Sequence, residues 1–295
     1  MTTPQPSEKD LSAAGRILPA TRVLALVIVP FLVAAFVICY LMPTRTLELF
    51  AWGIKPPLTA MLLAAVYIGG AFFFVRVATA RRWSEVALGF PPAAVFASLL
   101  GVTTVLHWDR FTHGHISFVA WAALYFAAPV VVVAIAAMNT RAARHTVVAP
   151  QPRLSSGVRL VLGVTGLAEL GVATGLFVLP SRVGDLWPWA VTPLTARTLA
   201  AVYALGLANV LVAADGRASR VRLQLEVQAV MLSLIAIAVL VRRGDFTAGT
   251  AVAYPFAAVV AAELAVVTAG LIGISRSKAA AARPASPATD LDWPG

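Results

Sequence analysis

The chain has 295 residues, 60% hydrophobic and only 12% charged, against about 25% charged in an ordinary soluble domain. Mean hydropathy is +0.85, and the apolar residues form long blocks without a charged helix face, which excludes a soluble globular fold and predicts an all-α integral membrane protein. The net charge of +10 does not point to nucleic acid, because Lys and Arg flank the apolar blocks in short clusters, where they anchor helix ends against anionic headgroups.

In chain order, residues 1–20 read as a polar cytoplasmic segment, and the apolar run after them has no convincing cleavage site, so it reads as a retained first helix over 22–42. Its single Cys39 allows no internal disulfide. Further crossings are expected over 57–76, 86–106, 116–138, 159–179, 191–213, 223–241 and 250–273, each near the roughly twenty residues that a crossing needs. The third has the weakest local signal, because it contains Gly89 and the pair Pro91–Pro92. The seventh follows Arg220 and Arg222, with Glu226 and Gln228 early in it, and is expected to start as an interfacial turn. Residues 139–157 read as a cytoplasmic linker, and 276–295, rich in Ala and Pro, as a disordered cytoplasmic tail.

Lys and Arg set the expected orientation. Sixteen lie on the side of the two termini, among them Arg81, Arg82, Arg141, Arg144 and Arg217, and six lie on the other: Arg45, Lys55, Arg110, Arg182, Arg242 and Arg243. That bias puts both termini in the cytoplasm. The Ala-, Val- and Arg-heavy usage resembles that of polytopic proteins of high-GC bacteria, so the expected location is the bacterial inner (plasma) membrane.

The chain nearly repeats itself. PLTAMLLAAVY (57–67) returns as PLTARTLAAVY (193–203), and the match extends outward: Pro43 pairs with Pro180, Trp52 with Trp189, Arg22 with Arg159, and DRFTHG (109–114) with GDFTAG (244–249). The offset is 137 near the start and 135 near the end. Ordered matches across helices and loops indicate duplication. The predicted unit has four crossings, an even number, so the two copies enter from the same side: a tandem parallel 4+4 repeat over 21–138 and 158–275, related by an axis along the membrane normal. Trp52 and Trp189 are expected at the headgroup boundary.

Three intramembrane charges break the pattern. Glu169 and Glu263 fall near the middle of the fifth and eighth crossings, and Arg197 about four residues, or about 6 Å, above the middle of the sixth; their repeat positions are Leu32, Ala128 and Met61. An ionised group at a helix centre costs roughly 2.5–3.5 kcal/mol on insertion scales, so the three are expected to face inward and meet in one layer. Asn209 can add hydrogen bonds there, and Tyr203, at the depth of Tyr67, can bond across the repeat interface. Two readings of this centre stand. Arg197 pairs with a carboxylate and fixes helix register, or the group binds a small solute, a cation or a proton.

A second candidate lies in the expected outer loop VLHWDRFTHGHIS, where His107, Asp109, His113 and His115 are suitable ligands for a divalent metal. Local histidines without a metal are the competing reading, and no other cofactor is indicated. No phosphate loop, dinucleotide fingerprint, serine elbow or HExxH helix occurs. Three functions therefore stand from the sequence: a transporter or permease using the polar centre, a non-catalytic structural or regulatory subunit with a membrane-protein partner, and an outer-face metal-dependent enzyme. The surrounding partner in every case is membrane lipid.

Overall fold

Inside a bilayer a long uncharged segment satisfies its backbone only as a helix or closed barrel. Among the described residues the computed structural model is accordingly all-α, with eight segments long and apolar enough to cross a membrane. It describes residues 15–144, 151–247 and 250–281. Helix α1 covers Pro19–Phe36 and runs on into a π turn, Val37–Leu41. Then come α2 (Pro57–Thr79), α3 (Phe90–Leu106), α4 (Ile116–Ala142) and α5 (Ser156–Val178). The sixth crossing consists of two helices, α6 (Pro193–Tyr203) and α7 (Gly206–Asp215), and α8 (Ala218–Val241) and α9 (Thr250–Ala281) follow.

Packing divides the crossings into an inner and an outer set. α2 packs on α1 and α8, and α6 packs on α5 and α3. α7 lies along α5, α8 pairs with α9, and α3 with α4. α2 is buried along most of its length, whereas α1, α5 and α9 keep large aliphatic side chains such as Leu26, Leu160 and Val259 exposed on their outer faces. Such faces suit lipid contact, and the interior is held by close packing and hydrogen bonds.

Contacts made near one end of the chain recur near the other. Trp83 donates its amide to the carbonyl of Gly15 at 2.8 Å, and Ala218 to that of Pro152 at 2.9 Å. Arg22 Nη2 donates to the carbonyl of Ala80 at 3.1 Å, and Arg159 Nε to that of Ala213 at 2.7 Å. On the opposite, distal face Thr112 donates to the carbonyl of Ala51 and Thr247 to that of Pro188, both at 2.9 Å. The Trp52 ring packs against Phe111 and Trp121, and the Trp189 ring against Phe246 and Phe256.

Several sequence expectations change. Trp52 and Trp189 are buried, their rings packed inward rather than exposed at the surface; Trp189 Nε1 donates to Thr59 Oγ1 at 2.8 Å. Pro91 and Pro92 do not interrupt the third crossing. They occupy its first turn, where a missing amide hydrogen costs nothing. α8 is helical from Ala218, with Arg222 Nε and Glu226 Oε1 paired at 2.7 Å one turn apart. α9 passes the expected tail boundary and remains helical through Ala281. The rest of the expected tail, the N-terminal fourteen residues and His145 lie outside the described residues.

Candidate functional site

The sixth crossing breaks where the second half carries its polar residues. After Tyr203 the chain turns at Ala204–Leu205, and the ladder tightens to i→i+3 steps: Leu205 donates to the carbonyl of Val202 at 3.1 Å, Leu207 to Ala204 at 3.1 Å and Ala208 to Leu205 at 2.8 Å. α7 begins there with Gly206. A methyl group on Gly206 would stand 2.6 Å from Glu169 Cβ and 2.8 Å from the Gly166 carbonyl, and one on Gly166 would stand 2.6 Å from the Gly206 carbonyl. The two glycines thus let α5 and α7 touch backbone to backbone, which brings the Glu169 carboxyl to the N-terminus of α7. That helix end carries partial positive charge.

Asn209, one turn further on and 2% exposed, joins the acidic residues. Its Nδ2 donates to Glu169 Oε2 at 3.1 Å and to Glu263 Oε1 at 2.9 Å, so one amide bridges carboxyls from α5 and α9. Its Oδ1 is buried without a hydrogen-bond partner among the described residues. Neither carboxyl forms an ion pair among the described residues. Tyr203, its ring edge-on to Trp187 at 5.5 Å, is near enough to both carboxyls to feel their charge. The cluster presents two carboxyl groups and an amide oxygen at a helix break. This donor set suits a proton or a small hard cation.

Arg197 does not join it. Its Nε donates to the Phe177 carbonyl at 3.1 Å and its Nη1 lies 2.8 Å from His107 Nε2. The expected layer of three charges is therefore two layers, with the carboxyls at the break and the guanidinium at the distal ends of α5 and α3. The reason is reach: Arg197 is in the first turns of α6, and its long side chain extends to an unpaired carbonyl in the last turn of α5.

The four outer residues do not form a metal-ligand set, and no group of three or more His, Cys, Asp or Glu with that potential occurs among the described residues. Each histidine has a separate local role. His107 receives Arg197. His113 Nε2 lies 2.8 Å from the Trp108 carbonyl. His115 caps α4, its Nδ1 accepting from the amide of Ser117. Asp109 lies in the short turn Trp108–Arg110. Burial, together with the positive charge of Arg197 and Arg110, holds the His107 imidazole below its ordinary value of 6.5.

Sequence reasoning ranked Asn209 as an accessory, whereas it is the bridge. It also missed the break in the sixth crossing, for which Gly206 is the only local signal. No protein family, curated protein or solved structure matches this chain.

Proposed function

We propose that this polytopic membrane protein is a transporter or permease for a small solute or cation, and that Glu169, Asn209 and Glu263 form its binding centre, with Tyr203 beside it. The observation that carries the reading is the single amide bridging two carboxyls at a broken helix, with one buried oxygen left over. Discontinuous helices at membrane depth supply coordinating groups for ions in many secondary transporters. A paired acidic site in a low-dielectric interior is relieved by taking up a proton or a cation. Exchange of one for the other, accompanied by adjustment of the α6–α7 turn, is the proposed coupling step. Arg197 is a positioning residue that ties α6 to α5 and α3.

The scaffold is read as a duplicated four-crossing unit. The recurring contacts at Gly15 and Pro152, Arg22 and Arg159, and Trp52 and Trp189 support that reading, as does the reciprocal packing of α2 on α8 and α6 on α3. The Arg-rich face is read as cytoplasmic, with both termini on it, in a bacterial inner membrane.

The test uses the purified full chain in sealed proteoliposomes loaded with a pH-sensitive dye. Inward Na⁺ and K⁺ gradients are imposed in turn, with and without a panel of small amines and amino acids. The expected result is proton or cation movement above that of empty vesicles, lost in Glu169→Gln and Glu263→Gln proteins that elute as the wild type does. Flux equal to empty vesicles across the panel, or unchanged flux in both variants, overturns the proposal.

A further inference from the structure

The first half of the molecule has no carboxylate where the second half has Glu169 and Glu263; Leu32 and Ala128 stand there. Both line a cavity of about 120 Å³ bordered by α1, α2, α3, α4 and α8 and by Leu205 and Ala208 at the α6–α7 break. No charged side chain lines it. Its walls are mainly aliphatic and aromatic, with Phe73, Phe74 and Phe96 among them. A dry apolar cavity of roughly 150 Å³ accommodates a ring-sized hydrocarbon group.

Four polar side chains interrupt this apolar wall: Gln224, 5% exposed, and three with unpaired buried polar atoms. Tyr67, Tyr125 and Gln228 are 1%, 3% and 8% exposed, and each lines the cavity. The Tyr67 and Tyr125 hydroxyls are close enough to interact with each other, but among the described residues neither has a partner in ordinary hydrogen-bond geometry, and Gln228 Oε1 has none. An unpaired buried polar atom costs about 1–3 kcal/mol, so two hydroxyls and an amide oxygen on residues that line one cavity call for a complementary group. The two phenols donate, and the amide oxygen accepts. A hydroxyl group serves both, since it accepts from a phenol and donates to the amide. With no cation in the wall, a carboxylate or phosphate head has no counter-charge there.

A route from the lipid is also present. A second cavity of about 170 Å³ shares Leu32, Tyr67, Leu124 and Tyr125 with the first and lies between α1 and α4. Those two helices make few contacts with each other. Phe31 and Ile116, at 42% and 77% exposed, stand on its rim.

We infer that the cavity around Tyr67, Tyr125 and Gln228 binds a neutral, membrane-soluble alcohol, its apolar body entering between α1 and α4 and its hydroxyl taken up by the two phenols and the amide. This site shares Leu205 and Ala208 of the helix break as wall but includes none of Glu169, Asn209 and Glu263, and it does not depend on the transport reading.

The test is photolabelling of the full chain in nanodiscs with a diazirine-bearing hexadecan-1-ol, followed by peptide mapping. Labelling is expected on α1, α2 and α4 residues that line the cavities, competed by plain hexadecan-1-ol and not by equal amounts of hexadecane or hexadecanoate. Tyr67→Phe with Tyr125→Phe keeps the rings and removes both hydroxyls, and is expected to lower competable labelling about five- to tenfold. Tyr125→Phe alone and the cavity-filling Ala128→Leu are expected to lower it by smaller factors, and either serves if the double variant fails to fold. Labelling spread over lipid-facing residues, equal competition by hexadecane or hexadecanoate, or labelling unchanged in the folded variants would overturn the inference.

Discussion

The guanidinium of Arg197 lies 2.8 Å from Nε2 of His107, so a cation on the sixth crossing is held by an imidazole at the end of the third. Nη1 can only donate, so Nε2 accepts and the ring is neutral, with its proton on Nδ1. The folded state therefore disfavours protonation of His107, in keeping with its lowered pKa.

A pH dependence with a definite sign follows. The unfolded chain binds this proton near 6.5 and the folded chain only at lower pH. Stability from this group is full above 6.5 and declines as pH falls from there towards the folded value. Thermal unfolding of the detergent-solubilised protein should show a lower Tm at pH 5 than at pH 7.5. In His107→Gln, whose amide oxygen still receives Arg197, that decline should shrink; an unchanged pH slope would show that other groups cause it.

Asn209 should be the most sensitive polar residue in the second half. Asn209→Leu removes both bridging bonds from two buried carboxyls, which is expected to cost about 2–4 kcal/mol. Asn209→Asp adds a third acid and should be at least as damaging. Combining Asn209→Asp with Glu263→Gln restores one amide among two carboxyls, so the double variant is predicted to melt above Asn209→Asp alone. Simple additivity of the two losses would contradict the bridging role.

The backbone contact between α5 and α7 gives a paired comparison. Gly166→Ala sets its methyl 2.6 Å from the Gly206 carbonyl, a contact that no rotamer change relieves. It should destabilise by about 1–3 kcal/mol. Gly171→Ala, on the same helix, has open space around its Cβ position and should be neutral or slightly stabilising. Equal effects at both positions, measured by thermal unfolding, would mean that the crossing is looser than described.

One helix end is capped from the other half of the chain. Asp245 Oδ2 accepts the backbone amide of Leu58, at the start of α2, at 2.8 Å, while Arg242 Nε stands 3.3 Å from the same oxygen. Asp245→Ala should cost about 1–2 kcal/mol, as lost helix caps do, and Asp245→Asn distinctly less. Limited proteolysis around residues 46–56 should accelerate in the alanine variant if the cap holds that loop down.

Composition and block length by themselves determined the membrane class, the eight crossings and their approximate ends, because lipid admits little besides long apolar helices. The two buried glutamates were legible for the same reason: a carboxylate inside an uncharged block has a cost that marks it as unusual. Partner choice was not legible. Arg197 reaches His107, Asn209 takes both carboxyls, and Trp52 and Trp189 turn inward, because side chains distant in sequence compete for the nearest unpaired atom, and only the packed helices set which atom that is. The break after Tyr203 belongs to the tertiary structure as well: it forms where Gly166 and Gly206 let two backbones meet, a contact that neither glycine reveals alone.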